Sequence, residues 1–577
     1  MAIALLLVAF TPLPTEFLGP PLVEEDRVWI EEAEAVLASP VDVNSANLES
    51  LLAIPWLSPR VAAAILRARD SLGRFESLSE VARVPGVDES VLAALAVAAR
   101  AAPVPVQGRL LVTARSDSLA GRGRAIAALS RLTAGGPAWD AAVVAEKDAG
   151  ETDWADFLGA GVEYRLARAR LIAGDYTLAS GLGLALSAPG GRSVFADKRD
   201  GAAALRLAKG VDETRCLRGA GGEFGLGRAR ATAAVSSAQR DADVREDGSV
   251  ARFGSGGMHD DSTALARKGQ VTEWLGALAA RLNMPGWECG ACAVASRFSR
   301  PVAPADSDYA FTGRNLAVAG VYAGAPVGPY RVCGELAGSL PGGGAAAAGI
   351  DGAWQDLDVS AAVRWRSDRY FAPHGRWTSL GTRRRRLDAS GRLRYRLAPV
   401  AVGLSGSTYR DMDEESLPGR LEAVVEQKAG PLGLELRAGR RYDGPAAALS
   451  TARFTARLQP AMEYSVLASV AYEAEPGDGS AGMVAGVRAT GGAGAVRFGV
   501  SGARFHIPFG GVRMSWSEPA AGRTGHAFSA DSSLWRLAAM VAVDVGFGRI
   551  AVSVGQALLD GAGPEVSGQL EVVAQRD

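Results

Sequence analysis

From about residue 108 to the end of the chain at residue 577, apolar and polar residues alternate with a period of two, and no other feature restricts the fold as much. A period of two sends successive side chains to opposite faces of an extended strand, whereas a helix repeats every 3.6 residues. In "MEYSVLASVAYEAE", Tyr464, Val466, Ala468, Val470 and Tyr472 share one face, and Ser465, Ser469 and Glu473 the other. In "VSAAVRWRSDRY", Val359, Ala361, Val363 and Trp365 oppose Ser360, Arg364 and Arg366. "GRLRYRLAP" sets Leu393, Tyr395 and Leu397 against Arg392, Arg394 and Arg396. "STARFTARLQP" sets Ala452, Phe454, Ala456 and Leu458 against Arg453, Thr455 and Arg457. Gly/Pro/Asp clusters such as "EPGDGSAG" and "SLPGGGAAAAG" separate such segments.

A soluble β-sandwich alternates in the same way, so the period alone leaves both architectures open. Three features favour a membrane barrel. The pattern runs for roughly 470 residues without an intervening helical domain. The segments are near the ~10 residues that cross an outer membrane when tilted. Tyr464 and Tyr472 lie eight positions apart on the apolar face, about the separation of two interfacial aromatic girdles. The expected fold class is therefore mainly β: a large antiparallel outer-membrane β-barrel over 107–577. At about 25–30 residues per strand and connector, it would have on the order of 16 strands.

Composition narrows the remaining options. A net charge of −1 and a pI near 6.5 give no global attraction to nucleic acid or anionic lipid. Only five of the 62 basic residues are Lys, a bias read first as a coding habit. Four Cys exclude a disulfide scaffold, and four His leave few candidates for a metal or catalytic site. No run approaches 18 apolar residues, so a membrane would have to be crossed by strands. "MAIALLLVAF" matches the length of a signal-peptide apolar region, although no Lys or Arg precedes it. Residues 1–20 are assigned as a signal peptide on that basis, and 21–40, which holds six acids and one Arg within "PPLVEEDRVWIEEAE", as an acidic linker.

Residues 41–102 follow a different period. Shifting the chain by 30 places Leu48, Leu51, Ile54, Leu57, Val61, Ala62 and Ile65 on Leu78, Val81, Val84, Val87, Val91, Leu92 and Leu95, and Pro55 on Pro85. Each copy reads as a helix, a five-residue turn ("IPWLS", "VPGVD") and a second helix. Ser58 before Pro59, and Asp88 in the second copy, are placed to cap the second helices. Ser77 with Glu80 has the spacing of a capping box. One copy is too small to bury its own apolar face, but two can pack together. "AAPVPVQG", Ala101 to Gly108, then breaks the helix.

"VDVNSANLESL", "IPWLS", "RFESLSEVARV" and "VPGVD" together resemble the tandem helix-hairpin-helix domain of competence-type DNA receptors. The resemblance implies a small all-α domain over 41–102 that binds double-stranded DNA through Gly-x-Gly turns, whose backbone N–H groups approach a phosphate at a helix N-terminus. On that pattern the DNA-contact candidates are Ser58, Arg60, Arg67, Arg69 and Gly86. The chain departs from it where it matters: Trp56 and Ser58 replace both glycines of the first turn, and Asp88 and Glu89 follow Gly86 in the second. Six Arg against seven Asp and Glu leave no cationic surplus over 41–102. The competing reading is a structural or protein-docking element. An exposed Trp56 would suit a partner surface, unless it packs on the barrel mouth.

Other motifs are weaker. Cys289-x-x-Cys292 lies in a strand-like run, where residues three apart face opposite ways, so no metal or redox site is expected. His259, His374, His506 and His526 have no triad-like spacing. Gly159/Gly161 and Gly225/Gly227 read as strand glycines, and Arg383 to Arg386 as a loop or rim. The run Gly174, Asp175, Tyr176, Gly181, Leu182, Gly183 and Leu184 is similar to a segment of bacterial proteins that join helix-hairpin-helix repeats to an outer-membrane barrel. Against a barrel, the chain ends "EVVAQRD" rather than on the aromatic that often closes a final strand. The expected protein is a non-enzymatic outer-membrane barrel with its N-terminal domain in the periplasm. Its expected partners are the lipid bilayer and either double-stranded DNA or a periplasmic protein, with no cofactor and no metal. One function is DNA binding or uptake. The other is a porin-like or structural barrel whose helical domain docks a protein or plugs the pore.

Overall fold

A computed structural model of the chain describes most residues between Val41 and Arg576. Outside the described residues lie 1–40, which include the expected signal peptide and acidic linker. So do 148–156, 188–203, 255–261, 376–385, 519–525 and a number of shorter connections.

Residues 107–576 form a closed barrel. Its sheet contains 27 strands, of which Ala204–Leu207, Ala242–Val244 and Val250–Phe253 add only short local pairings, leaving 24 in the ring among the described residues. Every ring neighbour is antiparallel, and the last strand, Glu565–Arg576, pairs with both Gly548–Leu559 and the first, Gln107–Asp117. The ring closes without a terminal aromatic. The strand number exceeds the expected 16 because connections at one end are far shorter than assumed. Leu166 to Ala169, Leu226 to Ala229, Met284 to Trp287 and Ala493 to Val496 are each joined by two residues. At the other end the connections reach from Ala179 to Leu217 and from Arg240 to Val271. Gly227 belongs to one of the tight turns, at φ +65°, and not to a strand.

Alternation sorts side chains between the two faces as the sequence predicts, with large apolar residues outward. Val363, Trp365, Leu393, Tyr395, Leu397, Phe454, Leu458, Tyr464, Val470 and Tyr472 are all exposed on the outer surface, while Ala362 and Arg366 are buried. Aromatics cluster outward at both ends. Tyr164, Trp287, Trp354, Tyr395 and Tyr464 lie near the short-turn end, and Trp274, Trp365, Tyr472 and Trp535 near the long-loop end.

Several long-loop connections fold back into the barrel and supply its interior core. Leu182 to Leu186 and Tyr370 to Ala372 join the buried cluster that includes Leu275, Val294, Phe298 and Val318. A separate hairpin, Met514–Glu518 with His526–Ala530, packs Met514 and Trp516 against Val484, Ala503 and Phe505.

The N-terminal unit has its own core of Val43, Leu51, Ile54, Leu57, Val61, Ala62, Ile65, Phe75, Val81, Val84 and Leu95. Its ends are tied by a short parallel pairing of Val41–Asp42 with Ala99–Arg100. Burying each of the Val, Leu, Ile and Phe side chains is worth about 1.5–3 kcal/mol, which lets two small repeats form one stable unit.

Candidate functional site

Among the described residues the turns of the two helical repeats share a hydrogen-bond pattern. Ile54 N–H donates to Leu51 O at 3.0 Å and Leu57 N–H to Ile54 O at 3.2 Å; thirty residues later, Val84 N–H donates to Val81 O and Val87 N–H to Val84 O, both at 3.0 Å. In the second turn Gly86 adopts φ +92°, a conformation L side chains rarely take, and it is exposed. Ser77 has the extended backbone of an N-cap, but its hydroxyl makes no capping bond and meets Ser79 Oγ at 2.6 Å. The capping box expected with Glu80 is therefore not formed.

Asn44 holds the repeats together, a role the sequence did not single out. Its Nδ2 donates to Phe75 O at 2.9 Å and Ala101 O at 3.0 Å, and its Oδ1 accepts from Phe75 N–H at 2.8 Å. Arg69 is drawn into the same junction. Its Nη1 donates to Ala46 O at 2.5 Å and more weakly to Asn44 O at 3.5 Å. One of its donors, Nη1, is thereby engaged by the domain's own backbone. Arg67 is exposed on the Pro59–Leu72 helix. Arg60 lies on the same helix, but its side chain, like Trp56, Ser58, Asp88 and Glu89, is outside the described residues.

The second candidate region is the barrel interior, where the Gly174–Leu184 motif acquires a structural role. The turn Ser180 to Leu186 closes with Ser180 N–H to Leu186 O at 3.1 Å and Gly183 N–H to Ser180 O at 3.1 Å. It wraps the carboxylate of Glu335, which accepts from Leu182 N–H and, at 3.2 Å, from Leu184 N–H. Gly181 is required there, since a Cβ would sit 2.7 Å from Glu335 Oε2. Tyr370 Oη donates to Leu184 O at 2.8 Å, locking the second in-folded connection onto the first. Phe371 stacks on Phe311 with ring centroids 5.7 Å apart. His374 meets Glu273 Oε1 at 2.9 Å, and Arg240 Nε donates to Glu273 Oε2 at 2.9 Å. The buried Glu273 is thus held by two basic groups, and the His374 contact joins residues 101 positions apart in sequence.

Elsewhere the inner wall carries ion pairs open to water. Arg394 Nη2 lies 2.7 Å from Glu426, Arg396 Nη2 2.8 Å from Asp358, and Arg420 Nη2 2.8 Å from Glu422. Arg437 bridges Glu422 and Glu435 at 3.5 and 3.3 Å. Cys292 is buried and Cys289 only half-buried, both free, and no group of metal-ligating side chains occurs among the described residues.

A helix-hairpin-helix motif model matches residues 36–99. The N-terminal unit is a helix-hairpin-helix domain. No curated protein sequence matches the chain. Among solved structures, the P pilus usher (PapC) translocation pore is similar at 11% identity and TM-score 0.40, covering 82% of this chain and all of that one. The copper transporter OprC matches at 9% identity and TM-score 0.40, with 83% of each chain covered. A mutant ferric enterobactin receptor (PfeA) of Pseudomonas aeruginosa matches at 8% identity and TM-score 0.40, over 82% of this chain and 81% of that one.

Proposed function

We propose that the chain is an outer-membrane β-barrel with a water-lined passage along part of its wall, and that its helix-hairpin-helix domain is a periplasmic docking module. The observation that carries this reading is the contrast between the two faces of the strands from Arg386 to Tyr442. Their outward positions hold Leu393, Tyr395, Val402, Leu404, Leu421, Val425 and Leu436, all exposed. Their inward positions hold the exposed ion pairs of Arg394, Arg396, Arg420 and Arg437. An apolar outside with charge inside inverts the arrangement of a soluble protein and suits a bilayer around a wet lumen. The orientation follows from the connections, because outer-membrane barrels keep short turns on the periplasmic side and the helical domain joins the ring at Gln107, on the short-turn end. No catalytic step is assigned to this site.

Reconstitution of the full chain in planar bilayers tests the passage. Discrete conductance steps, with a charge selectivity altered in Arg437→Glu and Arg394→Glu, are the expected result. A silent membrane with correctly folded protein would remove the pore reading.

Duplex-DNA binding is a second reading, favoured by the exposed Gly86 turn at φ +92° and the exposed Arg67. Against it stand the engagement of Arg69 with Ala46 O and the absence of a cationic surplus. Docking of a protein is therefore preferred. Titration of full-length protein in nanodiscs with duplex DNA over a range of salt separates the two. Steeply salt-dependent binding that weakens in Arg67→Glu favours DNA, and no binding at low salt favours a protein partner.

A further inference from the structure

We infer that the wall from Arg386 to Glu475 is an anion track, on which rows of inward arginines draw small oxyanions through the barrel. This names the solute class for the passage proposed above and rests on that reading. Residues paired in register lie on one face, so the ladder shows which inward side chains stand in a row. On these strands one row runs Arg394, Gly403, Val424, Arg437, Arg453 and Ala471. Four residues away along the strands, a second runs Ser390, Ser407, Arg420, Arg441 and Leu449. Neither row contains a carboxylate. Asp358, which extends the first row by one more strand, pairs with Arg396 at 2.8 Å.

Two pairs in these rows set like charges face to face. Arg437 stands directly opposite Arg453, and Arg420 directly opposite Arg441. Such pairs destabilise a sheet, and a wall selected for stability alone would place a carboxylate at one member of each. The glutamates lie in other rows instead. Glu422 and Glu473 share the intervening row with Arg392, and Glu426 and Glu435 share the row beyond Arg437 with Arg396. They tether the arginines without neutralising the wall: Glu422 holds Arg420 at 2.8 Å and Arg437 at 3.5 Å, and Glu426 holds Arg394 at 2.7 Å. Over the strands from Leu357 to Glu475, the described inward side chains comprise eleven arginines and seven carboxylates. The inner face is therefore cationic even though the chain as a whole is not.

The side chains also suit a moving ion better than a trapped one. Those of Arg420 and Arg437 are 54% and 44% exposed, so both remain open to solvent while ion-paired. A guanidinium fork matches the paired oxygens of phosphate or carboxylate, which selects oxyanions among anions. Four strand residues separate the two arginine rows by about 14 Å. The screening length at physiological salt is about 8 Å, so an ion feels one row at a time. Between the rows stand Arg392 and the hydroxyl of Thr451. Successive weak sites let an ion enter and leave, where one deep site would hold it.

Two measurements test this, one of them independent of a pore. Equilibrium dialysis of inorganic phosphate against the detergent-solubilised full chain is expected to show saturable binding. That binding should weaken about tenfold in Arg453→Gln and in Arg441→Gln, the scale of one lost charge-assisted hydrogen bond. Arg441 is exposed, so its variant serves if Arg453→Gln does not fold. Arg440 is the next residue but faces outward, 5.0 Å from the Tyr442 ring centroid, and Arg440→Gln should bind as the wild type does. Equal weakening in Arg440→Gln overturns the rows as the site. In planar bilayers under a KCl gradient, the reversal potential is expected on the chloride side, moving toward zero when Arg441→Gln and Arg453→Gln are combined. A potassium preference, or a chloride preference unchanged in that double variant, overturns the track and leaves the pore reading standing. A silent membrane with phosphate still bound overturns the pore reading and transport along the track, leaving a static binding surface. Neither binding nor current would overturn both.

Discussion

Two arcs of the same barrel are built on opposite principles. From Phe157 to Arg366 the inner face is filled: Leu275, Val294, Phe298, Leu316 and Val318 are buried against in-folded connections, and Glu273 and Glu335 are 2% and 3% exposed. From Arg386 to Val470 no buried hydrophobic residue occurs among the described residues, and the inner face carries Arg–Glu and Arg–Asp pairs. The outer faces differ as well. Across the second arc one row of paired positions reads Tyr395, Val402, Val425, Leu436, Phe454 and Val470. Across the first a comparable row reads Val235, Gly276, Ala295, Ala317 and Leu340. Where the inside is packed, the wall can be made of small residues. Where the inside carries ion pairs instead of a core, the strands depend on large outward side chains and on the ladder itself.

The largest expected effect comes from breaking a charge in the packed arc. Arg240→Ala leaves the buried Glu273 with His374 as its ion-pair partner and Ser296 as a neutral one, and should cost about 3–5 kcal/mol, read as a lowered midpoint of heat-modified gel mobility. A cost as small as that of a surface pair would mean that water reaches Glu273 and that the arcs do not differ. A cation placed on the outer face should be felt equally in both arcs. Leu278→Arg and Leu436→Arg are each expected to cost about 2–4 kcal/mol in lipid and little in detergent, by the same assay. A penalty in only one arc would show that the other faces something besides lipid. The smallest effect belongs to the open arc, where Arg394→Ala should cost at most about 1 kcal/mol because both Arg394 and Glu426 are 42% exposed. Its consequence should be seen in ion selectivity instead.

The helical domain offers a further check on what holds it together. Asn44→Ala removes three hydrogen bonds between the repeats and should destabilise the domain by about 1–3 kcal/mol, measured as faster proteolysis within 41–101.

Much of this was legible in the residues. The period of two placed Leu393, Tyr395, Val470 and Tyr472 on the apolar face, and the 30-residue shift identified two hairpins whose turns share hydrogen bonds at Ile54/Leu57 and Val84/Val87. The strand number was not legible, because it depends on connector length and the two ends of the ring differ widely in that respect. Nor was the inward use of Arg69, since a helical position says nothing about which carbonyls a guanidinium will reach.

The sequence by itself determined which face of each strand is apolar, because side-chain direction in a strand depends only on the parity of the position. It also determined that residues 41–102 pair as two copies of one unit, because neither copy can bury its apolar face alone. Only the tertiary structure decided that one arc is filled, that Glu335 is wrapped by a turn 151 residues away, and that the strand Ala169–Ala179 changes partner beyond Gly174, from Phe157–Leu166 to Ala204–Leu207. Those outcomes depend on which long connections fold inward. Such folding is settled by contacts between residues more than a hundred positions apart, where local periodicity carries no information.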